Sequence, residues 1–345
     1  MFRRRSSPEH LQAELLMRSV SGQHHCPDML MLDMFKLNLK GLMSSVPAGR
    51  MPNRETLVMN ARFVSDDEIA LSLVDLDRYP IADLEKGKGA DFLAQCQHDM
   101  ETLGWCNLDG FIHAQALSEL KDEANGLLPH AETLHVKRNI YQGAIDPSLP
   151  EDDPRRKEVT HIAVQLADDQ IPASTRLKQL YQSELLTDFV RQVQKKSRLY
   201  RCADEFQALN IVALPPESQH AWHYDTTECT VTLLLQAAES GGEFTFLPNS
   251  RTDDTEDHDA VDRLLSGDLS HAQTFSRGAG AFTLFRGGYS LHGVTKVLGS
   301  RPRISAIFTY DEEPDRVIGD EINIRIYGER VEKILAARRS VVNSV

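Results

Sequence analysis

The stretch whose reading decides the fold is His220-Ala221-Trp222-His223-Tyr224-Asp225, followed by the apolar run Thr230-Val231-Thr232-Leu233-Leu234-Leu235. In an extended chain residues two apart share a face, so the His223 imidazole and the Asp225 carboxylate leave one strand in the same direction. A second imidazole, His292, stands further on in Tyr289-Ser290-Leu291-His292-Gly293-Val294. A lone His-x-Asp is a weak signal, because most such tripeptides are surface accidents. The distal histidine strengthens it, and Arg303-Ile304-Ser305 strengthens it most. Arg303 and Ser305 again share a strand face, where a guanidinium and a hydroxyl can hold a carboxylate.

Two imidazoles and one carboxylate on one side of a metal, with the opposite positions open, form the ligand set of non-haem Fe(II) oxygenases. His223, Asp225 and His292 are therefore the candidate metal ligands and catalytic residues. Arg303 with Ser305 suits the far end of a 2-oxoglutarate chelated to iron at its other end.

Working outward, the 345-residue chain is long enough for one large core or two small ones. Its 41% hydrophobic and 26% charged content is that of an ordinary globular protein. A net charge of −13 argues against nucleic acid or an anionic membrane as partner. The five cysteines, Cys26, Cys96, Cys106, Cys202 and Cys229, are scattered and form no C-x-x-C pair. That pattern suggests reduced, buried thiols rather than a disulfide framework or zinc knuckle. No apolar run approaches membrane-spanning length, so a cytoplasmic protein acting on a small molecule is expected, with the oligomeric state open.

Three regions are expected. Residues 1–70 open basic and Met-rich but carry Glu9, Glu14, Asp28 and Asp33, which suits a poorly ordered extension better than a targeting peptide. Residues 71–199 show helical spacing at Phe92, Leu93, Cys96, Met100 and Leu103, again at Leu117 to Leu128, and again at Leu177 to Val193. A short strand is expected at Trp105 to Phe111, and the Pro-rich segment Asp146 to Arg156 reads as a surface excursion or a lid. From 200 to 345 the period becomes that of strands: Ala208–Leu214, Thr230–Leu235, Glu243–Leu247, Ala281–Phe285 and Ile304–Tyr310. The acidic insert Arg251–Asp268, with His258, is expected to be a solvated loop, and a last helix carries Val331, Ile334 and Leu335. The predicted architecture is mainly β with helical support, built on a jelly-roll or cupin-like double-stranded β-helix.

The C-terminal half resembles Fe(II)/2-oxoglutarate-dependent oxygenases, and within them the bacterial group of free-amino-acid (lysine-type) hydroxylases and related halogenases. The matching words are Asp146-Pro147-Ser148-Leu149-Pro150, His223-Tyr224-Asp225-Thr226-Thr227-Glu228, Gly241-Gly242-Glu243-Phe244, Leu284-Phe285-Arg286-Gly287 and Arg301-Pro302-Arg303. The similarity runs from about Val74 to about Gly328. It implies that His223, Asp225 and His292 bind iron, that Arg303 anchors 2-oxoglutarate, and that O₂ is the oxidant. It also implies hydroxylation of an unactivated C–H in a free amino acid, basic ones included. The halogenases of that group carry a small residue where Asp225 stands, leaving room for halide. Hydroxylation is therefore favoured here.

Substrate contacts are expected from His220 at the barrel mouth, Arg138 or Asn139 before the Pro-rich segment, Thr309 on the face of Arg303, and Tyr327. Trp222 and Tyr224 alternate away from the metal pair and read as packing. Three rival readings remain: a non-catalytic cupin-type binder, a zinc hydrolase on the same ligands, and the same oxygenase chemistry on a peptide or carrier-bound amino acid. A binder needs no cosubstrate anchor, and a hydrolase needs a general base that is not evident.

Overall fold

The computed structural model describes residues 64–143 and 145–342. Most of the expected N-terminal extension, residues 1–63, lies outside the described residues. The chain begins with α1 (Asp66–Leu73), α2 (Gly87–Thr102), β1 (Trp105–Leu108) and α3 (Ala114–Leu127). Next come β2 (Glu132–Arg138), β3 (Val159–Leu166), α4 (Arg176–Gln182) and α5 (Glu184–Val193). The strand-rich part follows with β4 (Tyr200–Arg201), β5 (Leu209–Leu214), β6 (His220–His223), β7 (Cys229–Gln236), β8 (Ser240–Gly241) and β9 (Phe244–Leu247). After α6 (His258–Leu265) come β10 (Gln273–Phe275), β11 (Phe282–Arg286), β12 (Leu291–Val294), β13 (Val297–Leu298) and β14 (Arg303–Asp311). The chain closes with α7 (Asp320–Tyr327) and α8 (Glu329–Val342).

The strands form two main antiparallel sheets. The larger has the order β1-β11-β7-β14-β5-β3-β2, with β4 added on β14, and the smaller has the order β10-β9-β12-β6. This is the expected double-stranded β-helix. Alternation along β14 shows how one strand serves two purposes. Ile304, Ala306, Phe308 and Tyr310 face the helices within the main core, each 0% exposed. Arg303, Ser305, Ile307 and Thr309 face a cavity.

Helical support forms for local reasons. Ser65 and Glu68 close a capping box at the start of α1. In α5, Leu186, Phe189, Val190 and Val193 recur at helical spacing and are buried, while the Ser183 hydroxyl accepts from the Leu186 amide at 3.1 Å. Phe189 then stacks on Phe92 of α2 and on Phe111, at centroid distances of 5.6 and 6.3 Å.

Three expectations need correcting. The segment 71–199 is more than helical support, because β2 and β3 pair along seven residues and β3 joins β5 of the large sheet. β2 is the edge strand and β3 lies next to it; Thr133, His135 and Lys137 of β2 and Thr160 and Ile162 of β3 are exposed, so neither strand shows a clean apolar-polar alternation. The acidic insert is not a loop throughout: Asp257 caps α6, whose Val261 and Leu264 are buried against Ile140 and Tyr224. The strand expected over Trp105 to Phe111 stops at Leu108, before Gly110 at φ +66°.

Candidate active site

Residues from both sheets meet around His223, Asp225 and His292, whose possible ligand atoms all lie within 4.8 Å of one another. His223 on β6 sits directly opposite His292 on β12. Their Nε2 atoms lie 3.6 and 3.5 Å from the same oxygen, Asp225 Oδ1. Each ring is held from behind by its own strand: His223 Nδ1 lies 2.8 Å from the Ala221 carbonyl and His292 Nδ1 lies 2.9 Å from the Ser290 carbonyl. A carbonyl can only accept, so both Nδ1 atoms are the protonated ones and both Nε2 lone pairs face the carboxylate. Phe285 and Phe244 pack against His292, with centroids 4.9 and 5.8 Å away.

Asp225 Oδ2 is buried with no hydrogen-bond partner. Among the described residues only the two histidines stand within ion-pair distance of this carboxylate. Burial raises the Asp225 pKa, and His292 and His223 bring it well below the usual carboxylate range only in their charged forms, a balancing positive charge that a bound cation would supply when the rings are neutral. Burial, then the neighbouring His292, lowers the His223 pKa. A buried carboxylate between two imidazole lone pairs is a donor set that fits a divalent cation. Gly287 keeps room for it: a Cβ there would stand 1.9 Å from Asp225 Oδ2.

On one side of the triad lies a lobe of about 490 Å³ with Arg303 and Ser305 in its wall. Arg303 donates from Nη1 to Ser305 Oγ and from Nε to the Gly242 carbonyl at 3.0 Å. The same lobe holds a second guanidinium that sequence reading missed. Arg277, in the turn before β11, is 7% exposed and donates from Nη1 to Thr232 Oγ1 and Thr283 Oγ1, both at 2.7 Å. Its Nε is buried without a partner. Burial, then the nearby Arg303, pushes the Arg277 pKa well below its ordinary value, and burial takes Arg303 to about 10. The pairing of Thr232 with Ile307, two residues beyond Ser305 on β14, sets the two guanidiniums close along the barrel. The sequence around Arg277, Phe275-Ser276-Arg277-Gly278, carries no motif. Only the turn reveals it.

On the other side lies a lobe of about 520 Å³, lined by Arg138, His220, Thr309 and Tyr327 among others. Four of the five candidate substrate residues thus converge. Strict alternation would send His220 away from His223. A bulge prevents this, since His292 pairs with His223 and Val294 with His220, giving β6 one extra residue. The two rings lie 4.4 Å apart. Asn139 is the exception: its Oδ1 accepts from the Tyr141 and Gly143 amides and shapes the turn instead. The Pro-rich segment is tied to α6 through Arg155, which donates to Asp153 and meets His258 Nδ1 at 2.7 Å. His258 is therefore engaged at the surface and is not a ligand. Tyr224 packs in the core as expected, its hydroxyl 2.9 Å from Ser250 Oγ.

Two packed antiparallel sheets with a His-x-Asp…His set between them define the class, the 2-oxoglutarate–Fe(II) oxygenase fold. Within it the chain belongs to the family described as Halogenase D, whose model matches residues 89–327. No curated protein matches the sequence. Among solved structures the chain is similar to the non-heme alpha-ketoglutarate-dependent epimerase SnoN from nogalamycin biosynthesis, at 19% identity and TM-score 0.48, covering 65% of this chain and 82% of that one. It is also similar to an oxidoreductase of the 2OG-Fe(II) oxygenase family from Burkholderia pseudomallei, at 16% identity and TM-score 0.43, covering 67% and 94%. A Pseudomonas putida prolyl-4-hydroxylase matches at 14% identity and TM-score 0.38, covering 62% and 96%.

Proposed function

We propose that this protein is an Fe(II)- and 2-oxoglutarate-dependent oxygenase that hydroxylates an unactivated C–H bond of a small carboxylate-bearing molecule, a free amino acid being the first candidate. The observation that carries this reading is the juxtaposition of the triad with two buried arginines that have no carboxylate partner among the described residues. His223, Asp225 and His292 would hold iron, and Arg303, Ser305 and Arg277 would receive the distal carboxylate of 2-oxoglutarate. Bound iron with 2-oxoglutarate and O₂ supplies C–H oxidation, consuming both and giving succinate, CO₂ and a hydroxylated product.

The protein's own part is geometric and electrostatic. The Ala221 and Ser290 carbonyls keep both imidazoles in the tautomer that presents Nε2. The guanidinium pair sets the cosubstrate's reach from the triad and favours a dianion over a monoacid. Arg138, with one bond to Gln142 Oε1 at 2.9 Å and its Nε buried without a partner, would hold the substrate carboxylate. Phe244 and Phe285 keep water from the triad's flank.

Hydroxylation rather than halogenation is proposed despite the family's description, because a halide needs an open position where a third protein ligand stands. Asp225 fills it. Anaerobic reconstitution with Fe(II) and 2-oxoglutarate, followed by O₂ and a panel of amino acids in chloride or bromide buffer, tests this by mass spectrometry. Gain of one oxygen with stoichiometric succinate is expected. Gain of halogen would make the protein a halogenase, and absence of 2-oxoglutarate binding would leave a metal-binding β-helix protein.

A further inference from the structure

The lobe beyond Arg138 has an unusual charge pattern. Arg138 is 5% exposed, and burial takes its pKa down to about 10. Its one hydrogen bond is to a neutral amide, so most of its donors await a ligand. Around it stand Gln165, Gln207, Asn210, Thr226 and Tyr327, all polar and all formally uncharged. They brace one another: Gln165 Nε2 donates to Asn210 Oδ1 at 2.8 Å, and the Tyr327 hydroxyl donates to the same oxygen at 2.9 Å. Gln207 donates to Asn323 Oδ1 at 2.6 Å and accepts from the Thr226 hydroxyl at 2.8 Å. Among the described residues lining the lobe the only carboxylate is Asp225, which the triad occupies.

We infer that the substrate is a small carboxylic acid whose end remote from the carboxylate is uncharged and hydrogen-bonding, a carboxamide or ureido group rather than an ammonium or guanidinium. This rests on the oxygenase reading and narrows it, setting aside lysine-like substrates that the family resemblance alone would suggest. The buried anion is neutralised by Arg138. The α-ammonium of an amino acid already finds no free carboxylate in this lobe, so a further buried cation at the remote end would have no counter-charge and would add repulsion to its desolvation. The braced amides instead offer fixed dipoles of both signs. The Gln165 Oε1, which takes no hydrogen bond in this network, is free to receive an N–H donor.

The test uses the full-length protein and pairs of amino acids matched in shape and different in charge: L-citrulline with L-arginine, L-glutamine with L-glutamate, and L-norleucine with L-lysine. Binding is read as thermal stabilisation of the nickel-loaded protein with N-oxalylglycine, and turnover as succinate release from the iron form. Citrulline or glutamine is expected to bind and turn over, with charged partners weaker by about a hundredfold. Gln165→Glu places an acid in the wall and is expected to reverse the citrulline–arginine preference. Asn210→Asp does the same should the first variant not fold. Preference for lysine or arginine in the wild type, or no binding by any pair while 2-oxoglutarate still binds, overturns the inference. Failure of the wild type to bind 2-oxoglutarate overturns the oxygenase reading instead.

Discussion

The two lobes on either side of the triad are built in opposite ways. The lobe proposed for the cosubstrate hangs mostly on regular strands, with Arg303 and Ser305 on β14 and Thr232 on β7, while Arg277 enters it from a turn. The far lobe collects Arg138 from the end of β2, Gln165 from β3, Gln207 from the turn before β5, and Tyr327 from the end of α7. A strand-borne wall fixes side chains to about the precision of the sheet. A wall assembled from several segments can change one residue at a time without moving the triad. The comparison teaches that the proposed chemistry and the proposed recognition rest on different kinds of element.

Variants that cross this division sharpen it. Asp225→Ala removes the only anionic group of the triad and is expected to abolish turnover and weaken metal binding beyond the roughly 10–100-fold that loss of an outer partner costs. Metal titration followed by calorimetry checks it. Arg303→Met is expected to lower 2-oxoglutarate affinity about a hundredfold while metal affinity stays unchanged. It is also expected to erase the preference for 2-oxoglutarate over 2-oxobutyrate, which lacks the distal carboxylate. Arg277→Met should do the same more weakly, about tenfold, because its Nη1 is shared with two threonines. Equal 2-oxoglutarate affinities for wild type and Arg277→Met would assign this arginine to bracing the threonines alone. On the other face of β14, Phe308→Ala is expected to cost about 3–5 kcal/mol of stability. It should leave cosubstrate affinity within error. A large affinity change there would mean that the two faces of the strand are not independent.

What could be read in advance follows the same line. His223, Asp225, His292, Arg303 and Ser305 announce themselves because period-2 strands translate spacing into direction. The apolar partners of β14 and β7 did so too. His220 was legible as a nearby residue but not in its direction, since a bulge breaks the parity that spacing implies. Arg277 sits in a turn, where local sequence says little about burial. β2 was hidden because an edge strand with a solvated face needs few apolar residues, and β3 because its exposed Ile162 breaks the alternation that marks a strand. Asn139 carries a polar side chain beside a buried arginine, and nothing in the sequence distinguishes capping a turn from facing a ligand.

One feature of the triad bears on how the protein would acquire its metal. Both imidazoles are tethered to carbonyls two residues back on their own strands, so their orientation is fixed by folding itself. The receptor for the ion is thus in place before the ion arrives, unlike small zinc modules whose folding waits for the metal. Chelation should strip the site without melting the sheets, and reloading should need no refolding step. The protein would behave as a socket, exchanging cations with its surroundings at a rate set by the ion's own water shell.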